Sequence, residues 1–572
     1  MLMRRIASAA VLVLVTLSLF VAIPSAWAAA GDLDPAFGSG GIVTTPVGSG
    51  TDKAVAIAIQ PSDGKIVVGG YTAGATGDDW AIARYNTNGT LDSSFDGDGV
   101  VTTSFGSGTD HAHAVAIDVS GNIVVAGYAF NGTDTDFAVA RYDTNGALDT
   151  TFSGAGKDTT AMGAGDDEIN GLAIDANGKI VVAGQSVSGT SNLFALARYD
   201  ANGTLDPGFS GDGKATTNVD VGSDAANAVA IQSDGKIVAA GRANNGVDRE
   251  FALVRYGTNG TLDGTFGAGG VKETSVGPGD DEINAVAIQS DGKIVVAGDS
   301  DSGVNTDFAL ARYGTGGALD SSFGGTGKVT TNIGHNDAAY GVAIDTNGDI
   351  VAGGTAASFY FAVARYGPDG TPDTGFGGTG VVYTAVSSFG SNGSALAIQP
   401  ADANIVLAGD AYGSDDDFAV VRYLVGPPVP NYQPDEAIKA PRRPYAGDNA
   451  YNTTALSQTV TVKAKRGTSK SFSIRVENDG SVSDSFSLAG PGGQTGFTAK
   501  YLQGANDVTS QIVAGTFMTS SLVPGASVVV KLVVTVKRTA GIGVVKAWVV
   551  TATSTTSTSK QDVVKAKVKA TA

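Results

Sequence analysis

Residues 281–313 read DEINAVAIQSDGKIVVAGDSDSGVNTDFALARY. Three short runs of aliphatic and β-branched residues are separated by Gly-, Asp- and Ser-rich breaks, the pattern of short strands joined by turns. Versions of this stretch recur. Its closing Arg-Tyr pair begins at Arg84, Arg141, Arg198, Arg255, Arg312, Arg365 and Arg422, at steps of 57, 57, 57, 57, 53 and 57 residues. A period this regular defines a repeat architecture.

Each unit contributes four strand-like runs, in the second unit 100–104, 114–118, 122–128 and 137–142. The middle runs are joined by Asp63-Gly64, Asn177-Gly178, Asp234-Gly235, Asp291-Gly292 and Asn347-Gly348, dipeptides suited to the positive φ angles of hairpins. Between units stands Leu-Asp-x-x-Phe with glycines after it, at 33–37, 91–95, 148–152, 205–209, 262–266 and 319–323, and as a variant at 372–376. Four antiparallel strands of this length cannot bury both faces of their own sheet, so neighbouring sheets must stack, and a ring of seven is a β-propeller. The first linker and strand precede the first hairpin, and nothing like them follows Tyr423. The N-terminal strand, about 41–46, is therefore expected to complete the last sheet beside 418–423 and remove both open edges.

The combination LDxxFGxxG, AVAIQxDGKIVVAG and DFALARY resembles the bacterial delta-60 repeat family over residues 32–423. The resemblance implies a β-propeller in an exported or surface protein and brings no catalytic residues. The sixth unit departs from the pattern by a four-residue deletion before Phe361, and the seventh replaces its turn by Asp402-Ala403-Asn404.

Residues 1–30 have the form of a secretory signal: Arg4 and Arg5, an apolar run, Pro24, then small residues with cleavage expected after Ala28 or Ala30. The propeller is assigned to 31–426. Six prolines in 427–448 suggest an extended linker, and the alternating runs of 449–572 suggest an immunoglobulin- or fibronectin-like β-sandwich. The mature chain is expected to be secreted, in an extracellular or cell-surface setting, as a monomer without a membrane span.

Composition narrows the chemistry. The chain has 81 glycines and no cysteine, which excludes disulfides, thiolate metal sites and Cys nucleophiles. Its net charge of −19 is divided: residues 431–572 hold 8 acidic and 17 basic side chains, the remainder 48 and 20. An acidic array repels nucleic acid and anionic membranes, so the expected partner is an extracellular or cell-surface protein or polymer.

Three groups of side chains are candidates for function. The repeat arginines Arg84, Arg141, Arg198, Arg255, Arg312, Arg365 and Arg422 alternate with apolar residues, so they face a buried sheet surface and need an Asp partner from the linker or a loop. Tyr85 and its equivalents are expected to pack with the hydroxyl at the rim. Asp52, Asp110, Asp167, Asp224, Asp281 and Asp337 precede the innermost strand, with Ser391 in the seventh unit. Asp79, Asp136, Glu250, Asp307 and Asp417 precede the third. Both carboxylate sets belong to one face, with the first expected to ring the channel mouth. They are read either as a cation site, with calcium as the candidate ion, or a docking face for a basic partner, or as turn caps. His111 and His113 share a strand face beside Asp110, the donor types of a transition-metal site, although the His113 position is occupied by Val55, Asn170, Asn227, Asn284 and Tyr340 in other units. No cofactor is otherwise expected. No glycosidase-type acid pair or GxSxG elbow stands out, and the array has one tryptophan, Trp80. The leading expectation is a non-enzymatic binding scaffold; the alternative is a propeller hydrolase or lactonase with a carboxylate-held channel metal.

Overall fold

A computed structural model of the chain describes residues 29–426, 434–441, 443, 445–446, 458–478, 483–523, 525–556 and 560–572. The expected signal sequence lies outside them up to residue 28. The chain divides into two compact units, 1–426 and 427–572.

The first unit is all-β, with seven four-stranded antiparallel sheets. The fifth sheet is typical: an inner strand Asp281–Ile288, then Ile294–Asp301, Thr306–Tyr313 and an outer strand Lys328–Thr331. In the seventh sheet the outer place is taken by the N-terminal strand Ile42–Thr45, which pairs Ile42 with Val421 and Thr45 with Phe418. This is the pairing expected from the offset between the first linker and the last Arg-Tyr pair.

Middle strands are buried on both faces, so they read as continuous apolar runs such as Ile294-Val295-Val296-Ala297. One face of each sheet supplies a core shared with the sheet before it, the other a core shared with the sheet after it. Val295, Phe308 and Leu310 pack with Ala339, Ile350 and Ala362 of the sixth sheet. Val406, Phe418 and Val420 of the seventh pack with Ala54, Ile66 and Ala81 of the first.

Three side chains per unit stitch the sheets together. Each repeat arginine donates through Nε to the linker aspartate at 2.6 to 2.9 Å: Asp92, Asp149, Asp206, Asp263, Asp320, Asp373 and, for Arg422, Asp34. Each guanidinium also lies 4.5 to 5.0 Å from the centroid of the linker phenylalanine ring. Its Nη1 reaches a carbonyl one unit onward, Arg84 to Thr144 and, around the ring, Arg422 to Thr87. The tyrosines are not at the rim as expected. They are buried, and each hydroxyl meets a threonine on the outer strand of the preceding sheet, Tyr142 with Thr103 and Tyr85 with Thr45.

Every inner strand carries a bulge, at residues 55, 113, 170, 227, 284, 340 and 394. The glycine opposite makes it possible. At Gly298 an added Cβ would lie 1.9 Å from the Glu282 carbonyl oxygen, so the second strand keeps glycine there in all seven sheets.

Among its described residues the second unit has two five-stranded sheets around one core that includes Phe472, Phe486, Leu532 and Trp548. Part of the expected linker is structured: Pro434–Lys439 pairs with Ser469–Asn478, because Ala437 and Ile438 supply buried apolar side chains to that core edge. The rest of the proline-rich stretch lies largely outside the described residues. No helix among the described residues is long and apolar enough to cross a membrane.

Candidate functional site

The carboxylates expected to ring a channel mouth do not do so. Asp52, Asp110, Asp167, Asp224, Asp281 and Asp337 are fully buried. Each accepts backbone N–H bonds from the loop entering its strand: Asp52 from Val47 at 2.7 Å, Asp110 from Phe105 at 2.8 Å, Asp337 from Ile333 at 2.7 Å. Several also tie down the neighbouring hairpin, as Asp110 accepts from Phe130 and Asp337 from Ala357. Burial raises the pKa of Asp224 and Asp281 against these bonds. They are buried loop anchors held mainly by backbone N–H groups, so they form neither a channel-mouth cation cluster nor an acidic rim.

The second set is half-buried and separate. Asp136 accepts from Asn131, Asp307 from Asn332 and Asn305, while Asp79 and Asp417 belong to the hairpins of the first and seventh sheets. Burial and the charges of Asp52, Asp415 and Asp416 push Asp417 upward.

His111 and His113 do not assemble a metal site with Asp110. Their ring centroids are 6.1 Å apart. His111 uses both nitrogens, Nε2 toward Asp78 at 2.8 Å and Nδ1 toward the Tyr128 hydroxyl at 2.7 Å, and Tyr71 stacks on its ring at 3.6 Å. His113 Nδ1 meets the Ile169 carbonyl and the Asn170 side chain. Burial and the neighbouring His111 lower the His113 pKa to about 4, so it is neutral at pH 7. Among the described residues no group of three His, Asp or Glu is placed to hold a metal ion.

What these histidines do mark is the site. All seven inner strands line one cavity of about 540 Å3, and the bulged residues His113, Asn170, Asn227, Asn284, Tyr340 and Ser394 face it together with Val55. Around its hairpin end run two further positions per sheet, paired across the first two strands: Lys53 with Tyr71, His111 with Tyr128, Glu168 with Gln185, Ala225 with Arg242, Glu282 with Asp299, Ala338 with Thr355, and Asn392 with Asp410. No two sheets carry the same pair.

Side chains bridge the boundaries between sheets here, by ion pairs at some and by the same asparagine-to-carbonyl bond at three in succession. Lys53 of the first sheet binds Asp410 at 2.7 Å and Asp416 at 2.9 Å of the seventh. Burial works against its charge, but these two carboxylates hold the pKa above the usual lysine value. Asn170 donates to the Ala226 carbonyl, Asn227 to that of Ile283, Asn284 to that of Ala339, and Thr355 to that of Gly393. Arg242 and Arg249 both engage Glu282. Asp299, buried and beside the Glu282 charge, is raised to about 6 and accepts from Asn284 at 3.1 Å. The cavity is thus rimmed by a mixed, half-buried array of cationic, anionic, amide and phenolic groups.

Of this rim, sequence reasoning singled out His111 and His113, but it did not name Lys53, Tyr71, Gln185, Arg242 and Asp299. Aligning the seven units on their Arg-Tyr pairs exposes these positions as the ones that differ while their neighbours repeat.

The family described as "Domain of unknown function (DUF5122) beta-propeller" matches six segments, 62–95, 120–152, 176–209, 232–266, 289–323 and 346–376. Each runs from the inner hairpin turn through the Arg-Tyr strand to the linker, one in each of the first six sheets. The chain is therefore a β-propeller-repeat protein. No curated protein matches it. Among solved structures, "Crystal structure of polysaccharide lyase Uly1" is similar at 11% identity with a TM-score of 0.37, covering 70% of this chain and 98% of that one. "Escherichia coli alpha-2-macroglobulin activated by porcine elastase" is similar at 8% identity and a TM-score of 0.15, covering 94% and 43%. Likenesses at these scores carry no argument about this chain.

Proposed function

We propose that the chain is an exported, non-enzymatic binding module of the delta-60 repeat type, acting in extracellular recognition or surface attachment. In this reading the array is a seven-bladed propeller closed by Ile42–Thr45, and the second unit is an immunoglobulin-like sandwich that acts as spacer or anchor. The observation that carries it is where the repeats diverge. Scaffold positions recur in all seven sheets, while the cavity rim holds a different pair in each, and a ring with no ligand would have no physical need for seven different pairs. The metal-dependent hydrolase is less well supported, because its candidate donors are occupied by backbone amides, Asp78 and Tyr128.

The test is co-sedimentation of the full chain with bacterial cell envelopes. The wild type is expected to pellet, and the double variant Tyr71→Ala/His111→Ala to stay in the supernatant with little change in melting temperature. Equal pelleting of the folded variant would remove the rim from the function.

A further inference from the structure

The sixth sheet differs from the others in a way its neighbours do not share. Its middle hairpin, Ile350–Ala356 to Tyr360–Tyr366, joins two seven-residue strands by a three-residue loop; the fifth has eight-residue strands and a four-residue loop, and the seventh has seven-residue strands, Ile405–Ala411 and Asp417–Tyr423, with a five-residue loop. The turn is tight, with Ala357 and Ser358 both at positive φ. The sixth sheet and the loop after it also carry aromatic rings at the surface. Tyr340, Phe359, Tyr360, Tyr383 and Phe389 are exposed, Phe389 at 73%, and they are the only exposed aromatics among the described residues.

The cluster has a built floor. Gly390, at φ +113, sits between two rings, and an added Cβ would lie 2.8 Å from Phe359 and 3.0 Å from Tyr412. Ser391 N–H donates to the Phe359 carbonyl, and Tyr412 N–H to the Gly390 carbonyl, which ties the sixth and seventh sheets together beneath the rings. Tyr360 and Tyr383 meet edge to face at 5.7 Å. At its inner end Tyr340 lines the cavity, and Tyr412 carries Lys53 4.8 Å over its ring.

We propose that this aromatic shelf, running from the cavity to the outer strand of the sixth sheet, binds a neutral carbohydrate chain. The inference rests on the reading of the array as a binding module and names its ligand class. Three features select a sugar. The shelf is aromatic without aliphatic side chains, whereas the exposed aliphatics of the array, such as Val119, Val247 and Val304, stand singly on other sheets. Aromatic rings offer flat faces to the C–H side of a pyranose, and most here are tyrosines, whose hydroxyls keep the shelf wetted and hydrogen-bonding. Lys53, Asp416 and Asn392 flank its inner end with further donors and acceptors for sugar hydroxyls. Neutrality follows from charge: 48 acidic against 20 basic residues before position 431 repel a polyanionic polymer.

The experiment is native affinity electrophoresis of the full chain through gels containing dextran, xylan, galactomannan or mixed-linkage β-glucan. At least one is expected to retard the wild type, and Tyr383→Ala and Phe389→Ala, both at exposed positions, to weaken retardation at least tenfold. Retardation by none of them, or retardation unchanged in both variants, overturns the proposal. Envelopes stripped with protease should still pellet the wild type; loss of pelleting would identify a protein partner and overturn it too. If envelopes pellet the chain but no glycan retards it, the carbohydrate assignment fails while the binding-module reading survives. If glycans retard it but envelopes do not pellet it, the carbohydrate assignment and the binding-module reading stand and attachment to the envelope fails.

Discussion

The two ends of the array follow opposite rules. At the linker end, seven arginines make the same three contacts, with an aspartate, a phenylalanine ring and a carbonyl of the next unit. At the hairpin end, the cavity rim changes partner at every step, from Lys53–Asp410 to His111–Asp78 to Arg242–Glu282. Repetition here belongs to the structure and divergence to the site.

The largest expected effect lies at the repeated end. Arg255→Ala leaves Asp263 without its buried partner and removes the support of Phe266 and the Thr315 carbonyl. A loss of about 3 kcal/mol is expected in urea unfolding. A loss below about 1 kcal/mol would mean that the joint is not what holds adjacent sheets. Tyr256→Phe is milder, since it removes only the hydroxyl contact with Thr217. About 1 kcal/mol is expected, with the ring still packed.

The smallest effect separates the ends by the sign of a pH dependence. Asp206 at the linker end is partly opposed by burial, but Lys179, the Gly208 N–H and Arg198 hold it down at about 2. Its folded pKa lies below the unfolded value of about 4, so its contribution is present above pH 4 and is lost as pH falls toward 2. Asp299 at the rim is raised to about 6 by burial and the Glu282 charge. Its folded form holds a proton that the unfolded chain releases near pH 4, so its contribution is present below that pH and is lost as pH rises through 6. Carboxyl carbon NMR should show Asp299 titrating near 6 and moving down in Glu282→Gln, with Asp206 unmoved. An Asp299 midpoint unaffected by Glu282→Gln would break the electrostatic link between the two rim carboxylates.

Much of the scaffold is legible in the chain itself. Strand order, the turn glycines, the arginine's need for an aspartate and the N-terminal strand beside Phe418 all follow from a period and from alternation within it, whereas the choice of the linker aspartate over a loop aspartate does not. The site was harder to read for a physical reason. The recurring aspartates looked functional because a carboxylate returns at one position in six units, yet backbone amides three to five residues away bind them, a local arrangement that needs no ligand.

What the sequence by itself determined is the unit: four strands, an arginine needing a partner, and a seven-times-repeated demand for a neighbouring sheet. What only the tertiary structure decided is which side chains meet. Lys53 and Asp410 stand 357 residues apart, and Tyr360 meets Tyr383 across the last two strands of the sixth sheet. Periodicity is a property of neighbours along the chain, whereas a cavity rim takes one or two residues from each turn of the ring, so its chemistry exists only once the ring has assembled.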